Sequence, residues 1–161
     1  MKFIEKNKNV LITIVVMSLI LVAYIASDNR ENKEIKLETN AISCENIQST
    51  KLLDYKSAAC GEQKKIVYVM KTGCTYCEKI EPIKNEIIDK YKLNVLEIDT
   101  AEFDNTTINE FINTNDFLKK GEWGTPLFMI VENGKVIETL IGYKEKPALI
   151  EFFKKNGLID E

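Results

Sequence analysis

Residues 71–82 read KTGCTYCEKIEP, with two cysteines three positions apart and a proline five residues past the second. Two residues between the sulfurs is the spacing at which the first turn of a helix can close a small disulfide ring. If Cys74 opens such a helix, the unpaired N–H groups and the helix dipole at that end favour an anion. A thiolate there has its pKa lowered by one to several units from about 8.5. Cys74 is then the attacking sulfur. Cys77, one turn further in and less exposed, can resolve a mixed disulfide by attacking Cys74 and releasing the substrate. Lys71, three residues before Cys74, adds positive potential.

Other chemistries of a C-x-x-C pair fit this chain less well. The remaining cysteines, Cys44 and Cys60, could complete a four-cysteine zinc set. They stand sixteen residues apart, however, whereas structural zinc sites supply their second pair at short spacing. Copper delivery calls for histidine or methionine beside the pair, and the chain has no histidine. That absence also removes imidazole as a metal ligand and as a proton carrier near neutral pH. No metal and no organic cofactor is therefore expected; the redox group is the cysteine pair itself.

The elements that must hold the pair can be traced from periodicity. KKIVYVM, directly before it, is an apolar β-branched run of strand length. After it Ile80, Ile83, Ile87, Ile88 and Tyr91 recur at helical spacing and define one buried face. NVLEID reads as a second buried strand, and NTTINEFINTNDFLKK, ending at Gly121, as one helix or two short ones. TPLFMIVENGKVIETLIG gives two strands joined at Asn133-Gly134, where a two-residue turn needs positive φ at both positions. In KPALIEFFKKNG, Pro147 suits a helix first turn and Gly157 its end. Upstream, CENIQSTKLLDYKSAA reads as a short helix. These elements make an α/β fold, a mixed central sheet flanked by helices on both faces.

The chain has 161 residues, a net charge of −3 and scattered basic residues, which argues against nucleic acid as a partner. Val10 to Ala26 is a run of seventeen residues without a charge, at the short end for a membrane-spanning helix. Lys2, Lys6 and Lys8 precede it and a polar stretch follows, the layout of a signal anchor. Tyr24 stands where a cleavage site wants a small residue, so the anchor is expected to be retained. Three basic residues lie near each flank, which leaves orientation open by charge alone. The short tail and signal-like order place the N-terminus inside. The expected organisation is a cytoplasmic tail at 1–9, a transmembrane signal anchor at 10–26, a solvated linker at 27–40, and a domain at 41–161 facing the extracytoplasmic side. Disulfides persist there, and protein thiols and disulfides outside the cytoplasm are the expected partners.

In this order the strand KKIVYVM, CTYC, Pro82 in the following helix, VLEID, the Gly-Thr-Pro of EWGTP, the hairpin ending at Gly142 and the helix ALIEFFKKNG resemble the thioredoxin superfamily over residues 42–158. The resemblance implies a thioredoxin fold. It also implies a cis Thr125-Pro126 bond facing Cys74 and Cys77, so that Thr125 and Pro126, with Thr75 and Tyr76, shape the substrate edge. Pro82 should kink its helix. There are departures. Gly73 and Thr75-Tyr76 stand where cytosolic thioredoxins carry Trp and Gly-Pro. The family's buried acid falls on Tyr68 and its lysine partner on Val95, leaving Glu78, Glu97 or water as substitutes on the proton route. Thr125 and the aromatic Tyr76 look more like protein disulfide isomerases and bacterial extracytoplasmic disulfide-handling proteins. The anchored layout is similar to accessory proteins of bacteriocin exporters in Gram-positive bacteria, which implies a membrane redox partner or exporter.

The function so implied is a membrane-anchored thiol–disulfide oxidoreductase. Its rival is a non-enzymatic module that binds an exporter or secreted peptide. In the oxidising compartment Cys44 and Cys60 are expected to form a structural bridge. A single straight helix over 45–59 would hold the sulfurs roughly 20 Å apart, so the bridge requires a shorter helix and a returning loop.

Overall fold

The computed structural model describes residues 40–160, together with Met17 and Ser18. The chain divides into two units, residues 1–38 and 39–161. In the first, Met17 and Ser18 are helical and exposed. The expected tail, anchor and linker otherwise lie outside the described residues, among which no helix is long and apolar enough to cross a membrane.

The second unit is built on four strands, β1 (Lys65–Met70), β2 (Val95–Asp99), β3 (Leu127–Glu132) and β4 (Lys135–Ile141), in the spatial order β2-β1-β3-β4. β1 and β2 run parallel, while β1–β3 and β3–β4 are antiparallel, so the sheet is mixed as expected. Asn133 and Gly134 both have positive φ, at 51° and 70°, and close the β3–β4 hairpin. β2 departs from expectation. It lies at an edge and only Ile98 is fully buried in it, because its outer side has no strand neighbour among the described residues.

Five α-helices cover the sheet: α1 (Leu53–Cys60), α2 (Thr75–Tyr91), α3 (Asn105–Ile112), α4 (Asp116–Lys119) and α5 (Lys146–Lys155). Alternation along β1 sorts the core into two layers. Val67 and Val69 face one way and pack with Tyr55 and Ala59 of α1, Phe111 of α3 and Leu118 of α4. Ile66 and Tyr68 face the other way and pack with Ile80 and Ile87 of α2 and Leu149 and Phe153 of α5. The sheet is therefore sandwiched between helices on both faces.

Residues 44–59 do not form one helix. Two 3-10 turns, Cys44–Asn46 and Thr50–Leu52, precede α1. At the break, the N–H groups of Gln48 and Ser49 donate to Glu110 Oε1 of α3 at 2.5 and 2.7 Å instead of to a helical carbonyl. Ile47 beside them is extended. Asn46, Ser49 and Thr50 are weak helix formers that favour such local alternatives. The chain thus returns on itself, and Cys44 and Cys60 form a disulfide with Cα atoms 6.1 Å apart.

Candidate active site

β1 ends at Met70, and the chain turns through Lys71–Cys74, with the Cys74 N–H donating to Lys71 O at 3.0 Å. Gly73 takes φ +80° in this turn, a conformation side chains with a Cβ resist. A glycine rather than a tryptophan at this position therefore has a backbone reason. Asp99, the last residue of β2, fixes the turn from the side. It accepts from Thr72 N–H at 3.0 Å, from the Thr72 hydroxyl, and from Ala101 N–H at 2.9 Å. Burial opposes its charge, but these donors and the nearby Lys71 hold its carboxyl below the usual range. Asp99 carries no motif of its own and sequence reasoning missed it.

Cys74 is the N-cap residue of α2, and its Sγ accepts from the Cys77 N–H at 3.2 Å. The site is thus the helix mouth expected from the spacing. On the other side the Cys74 thiol reaches the carbonyl oxygen of Thr125 at 3.5 Å. The Thr125–Pro126 peptide is cis. Its loop is tied down by Gly142 N–H donating to Pro126 O at 2.7 Å, and upstream by the Trp123 indole N–H donating to Leu118 O at 2.9 Å. Cys74, Cys77, Thr125 and Pro126 are therefore brought together. Thr75 and Tyr76 project outward, and Tyr76 is 58% exposed.

The two thiols are unequal. Burial works against ionising Cys74. Hydrogen bonds from the Cys77 and Thr125 side chains and from the N–H groups of Cys77 and Tyr76 outweigh it, and the thiol lies below its ordinary value. Cys77 is 2% exposed. Burial first, then its bond to the Cys74 sulfur and the charge there, push its thiol up. The exposed-side sulfur of the pair is thus the one favoured to ionise, and its buried neighbour the one favoured to keep its proton. Both are free here, whereas Cys44 and Cys60 are consumed by their bridge, so the four-cysteine zinc set is not assembled.

A family model described as thioredoxin matches residues 46–155. The chain belongs to the thioredoxin family. It is 28% identical over 101 residues to a disulfide bond formation protein of Brevibacillus choshinensis, covering 63% of this chain and 80% of that one. It is 35% identical over 100 residues to the thiol-disulfide oxidoreductase ResA of Bacillus thuringiensis strain Al Hakam, covering 52% of this chain and 58% of the relative. Thioredoxin of Bacillus subtilis strain 168 is 25% identical over 122 residues, covering 76% of this chain and 96% of the relative. The names these relatives carry support thioredoxin-like oxidoreductase activity.

Tyr68, on which the resemblance places the family's buried acid, lies in β1. Tyr68 of β1 is fully buried. The candidate substitutes for the missing acid differ in placement: Glu78 is exposed, while Glu97 on β2 ion-pairs with Lys84 of α2. Lys84 is 1% exposed, bonded also to Glu81 at 3.1 Å, with its ammonium 4.6 Å from the centre of the Tyr68 ring. Sequence reasoning missed Lys84. Its signal was present: it lies four residues after Ile80 and three before Ile87, on the face that α2 buries.

Proposed function

We propose that this protein is a thiol–disulfide oxidoreductase held at the cell membrane by residues 10–26 and exchanging disulfides with proteins outside the cytoplasm. The observation that carries the chemistry is the pairing of Cys74, the N-cap at a helix mouth, with a buried Cys77 one turn on, beside the cis Thr125–Pro126 loop. The Cys74 thiolate attacks a substrate disulfide, forming a Cys74–substrate bond and expelling one substrate thiolate. Cys77, once deprotonated, attacks Cys74, forming the Cys74–Cys77 bond and releasing the second substrate thiolate. The substrate gains two electrons and the protein loses them; the reverse sequence oxidises a substrate dithiol. The exposed Tyr76 beside the pair offers an apolar face to an extended substrate, and Thr125 offers backbone groups to pair with it.

The extracytoplasmic placement is supported by the Cys44–Cys60 bridge, a bond that reducing compartments do not maintain, and by the charged tail ahead of an uncharged apolar run. A membrane redox partner or an exporter would suit a tethered domain of this kind. The test uses the full chain. Cys74→Ser should abolish insulin reduction, and Cys77→Ser should accumulate mixed disulfides with exported proteins. Unchanged insulin reduction in Cys74→Ser, with no trapped species in Cys77→Ser, would reject the enzyme in favour of a binding module. A membrane-impermeant thiol reagent that labels Cys74 in intact cells supports the placement; labelling only after lysis would rule it out.

A further inference from the structure

Resting on that reading, the loop that faces the redox pair must meet a demand of its own. Thr125 can pair with a substrate chain only if its backbone is held in one place, and the stretch that delivers it is short of bonds. Residues 122–124 make one hydrogen bond among the described residues, from the Trp123 indole N–H to Leu118 O at 2.9 Å. The outer side of the loop is bare. Glu122 and Gly124 are exposed, and a Cβ on Gly124 would meet nothing within 4 Å. On the inner side Trp123, the chain's single tryptophan, is half-buried and meets the Phe111 ring edge to face, with centres 6.1 Å apart. What it hangs from is fixed. Leu118 is buried, and α4 is capped at its start by the Asn115 side chain, which accepts from the Phe117 N–H at 2.8 Å. Phe111 is itself wedged against Tyr55 and Phe103.

We propose that Trp123 is the positioning residue of the substrate edge, and that through it the site favours polypeptide disulfides over small ones. One ring and one N–H seat residues 122–125 against α3 and α4, and so set where Thr125 presents its backbone. Trp123 acts through its neighbours. The Thr125 carbonyl lies 3.5 Å from Cys74 Sγ, and the Pro126 carbonyl accepts from the Gly142 N–H at 2.7 Å, the bond that joins the loop to the end of β4. An edge held in place before the substrate arrives spares the cost of ordering it on binding. A polypeptide disulfide, which lies along Thr125, therefore depends on Trp123. A small disulfide, which meets Cys74 without using the edge, does not. Phenylalanine at this position would keep a ring but no donor; leucine would keep neither.

The experiment uses the full chain with the Cys44–Cys60 bond intact and Cys74 and Cys77 reduced, as wild type, Trp123→Phe, Trp123→Leu and Ile87→Val. The last is a control for stability alone, since Ile87 is buried in the other core layer. Hydrogen exchange at the Gly142 amide reads the anchoring without any substrate. One neutral hydrogen bond is worth about fivefold in an opening equilibrium, so this amide should exchange about fivefold faster in Trp123→Phe and faster still in Trp123→Leu. The Gly134 amide, which donates to Ala59 O at the far end of the hairpin, should change no more than it does in Ile87→Val. The rate of insulin reduction divided by the rate of cystamine reduction reads the selectivity. That ratio should fall severalfold in Trp123→Leu, less in Trp123→Phe, and stay at the wild-type value in Ile87→Val. Trp123→Phe keeps the ring, so the test stands if the leucine variant does not fold. A Gly142 rate unchanged in the Trp123 variants, a ratio unchanged in them, or a ratio that falls as far in Ile87→Val overturns the assignment. If the wild type reduces neither disulfide, the oxidoreductase reading fails, and Gly142 exchange still decides whether Trp123 holds the loop.

Discussion

Replacing both Cys44 and Cys60 by alanine removes the cross-link at the junction where the N-terminal turns, α1 and the hairpin meet. The bridge spans a sequence separation of 16. Around it Ile42 N–H donates to Gly134 O, Gly134 N–H to Ala59 O and Asn133 N–H to Gly61 O, so the tip of the β3–β4 hairpin depends on the same corner. For a closed loop of this length the chain-entropy relation gives about 10 cal/mol/K, or about 3 kcal/mol at 25 °C. For a unit of the size of residues 39–161, an unfolding entropy of roughly 250 cal/mol/K converts that into a fall of about 12 °C in melting temperature. Urea melts of the two proteins should differ in midpoint, with the slope larger in the variant as its unfolded chain expands. Non-reducing mass mapping should recover the Cys44–Cys60 peptide pair. A double variant as stable as the oxidised wild type would refute the argument, since packing alone would then hold the returning loop. Free alkylated thiols at both positions would remove its premise.

Two more outcomes concern the turn that delivers Cys74. Asp99 ionises more readily folded than unfolded, so its contribution is present above about pH 4 and is lost as pH falls through its lowered folded value. Asp99→Asn should cost about 1 kcal/mol at pH 6, and the gap in urea midpoint between the two proteins should close in acid; a gap independent of pH would count against the carboxylate. Gly73→Ala meets no neighbour within 4 Å, so its cost is conformational, about 1 kcal/mol from φ +80°, with slower alkylation of Cys74 as the turn loosens. Equal stability and equal alkylation would show that the turn does not require glycine.

The legible parts of this molecule were those in which local pattern and tertiary need coincide. The helical face from Ile80 to Ile87, the Asn133-Gly134 turn and the Cys74–Cys77 spacing each state in a few residues what the fold then uses. The N-terminal region was legible only in part. A run such as CENIQSTKLLDYKSAA has helical period, but its course is decided by Glu110, more than 60 residues away, which captures the N–H groups of Gln48 and Ser49. β2 read as a buried strand from Val95, Leu96 and Ile98, and apolar residues in a run of that length cannot say whether a strand is central or at an edge.

Lys84 shows the same limit at the site itself. A lysine on a helix is read as solvated, because burying an ammonium is costly unless it is paired. Here the pairs come from two directions, Glu81 one turn back on the same helix and Glu97 on β2, and the Tyr68 ring lies beneath. The carboxylates are themselves 41% and 47% exposed in their side chains, so the cluster reaches from solvent inward to the phenol. The cation thus comes from α2 and one of its two acids from β2, so the cluster is assembled by the packing of helix on sheet. It can be recognised only when the distances are known, because Lys84 and Glu81 lie on α2, Glu97 on β2 and Tyr68 on β1, and no single stretch of sequence holds them together.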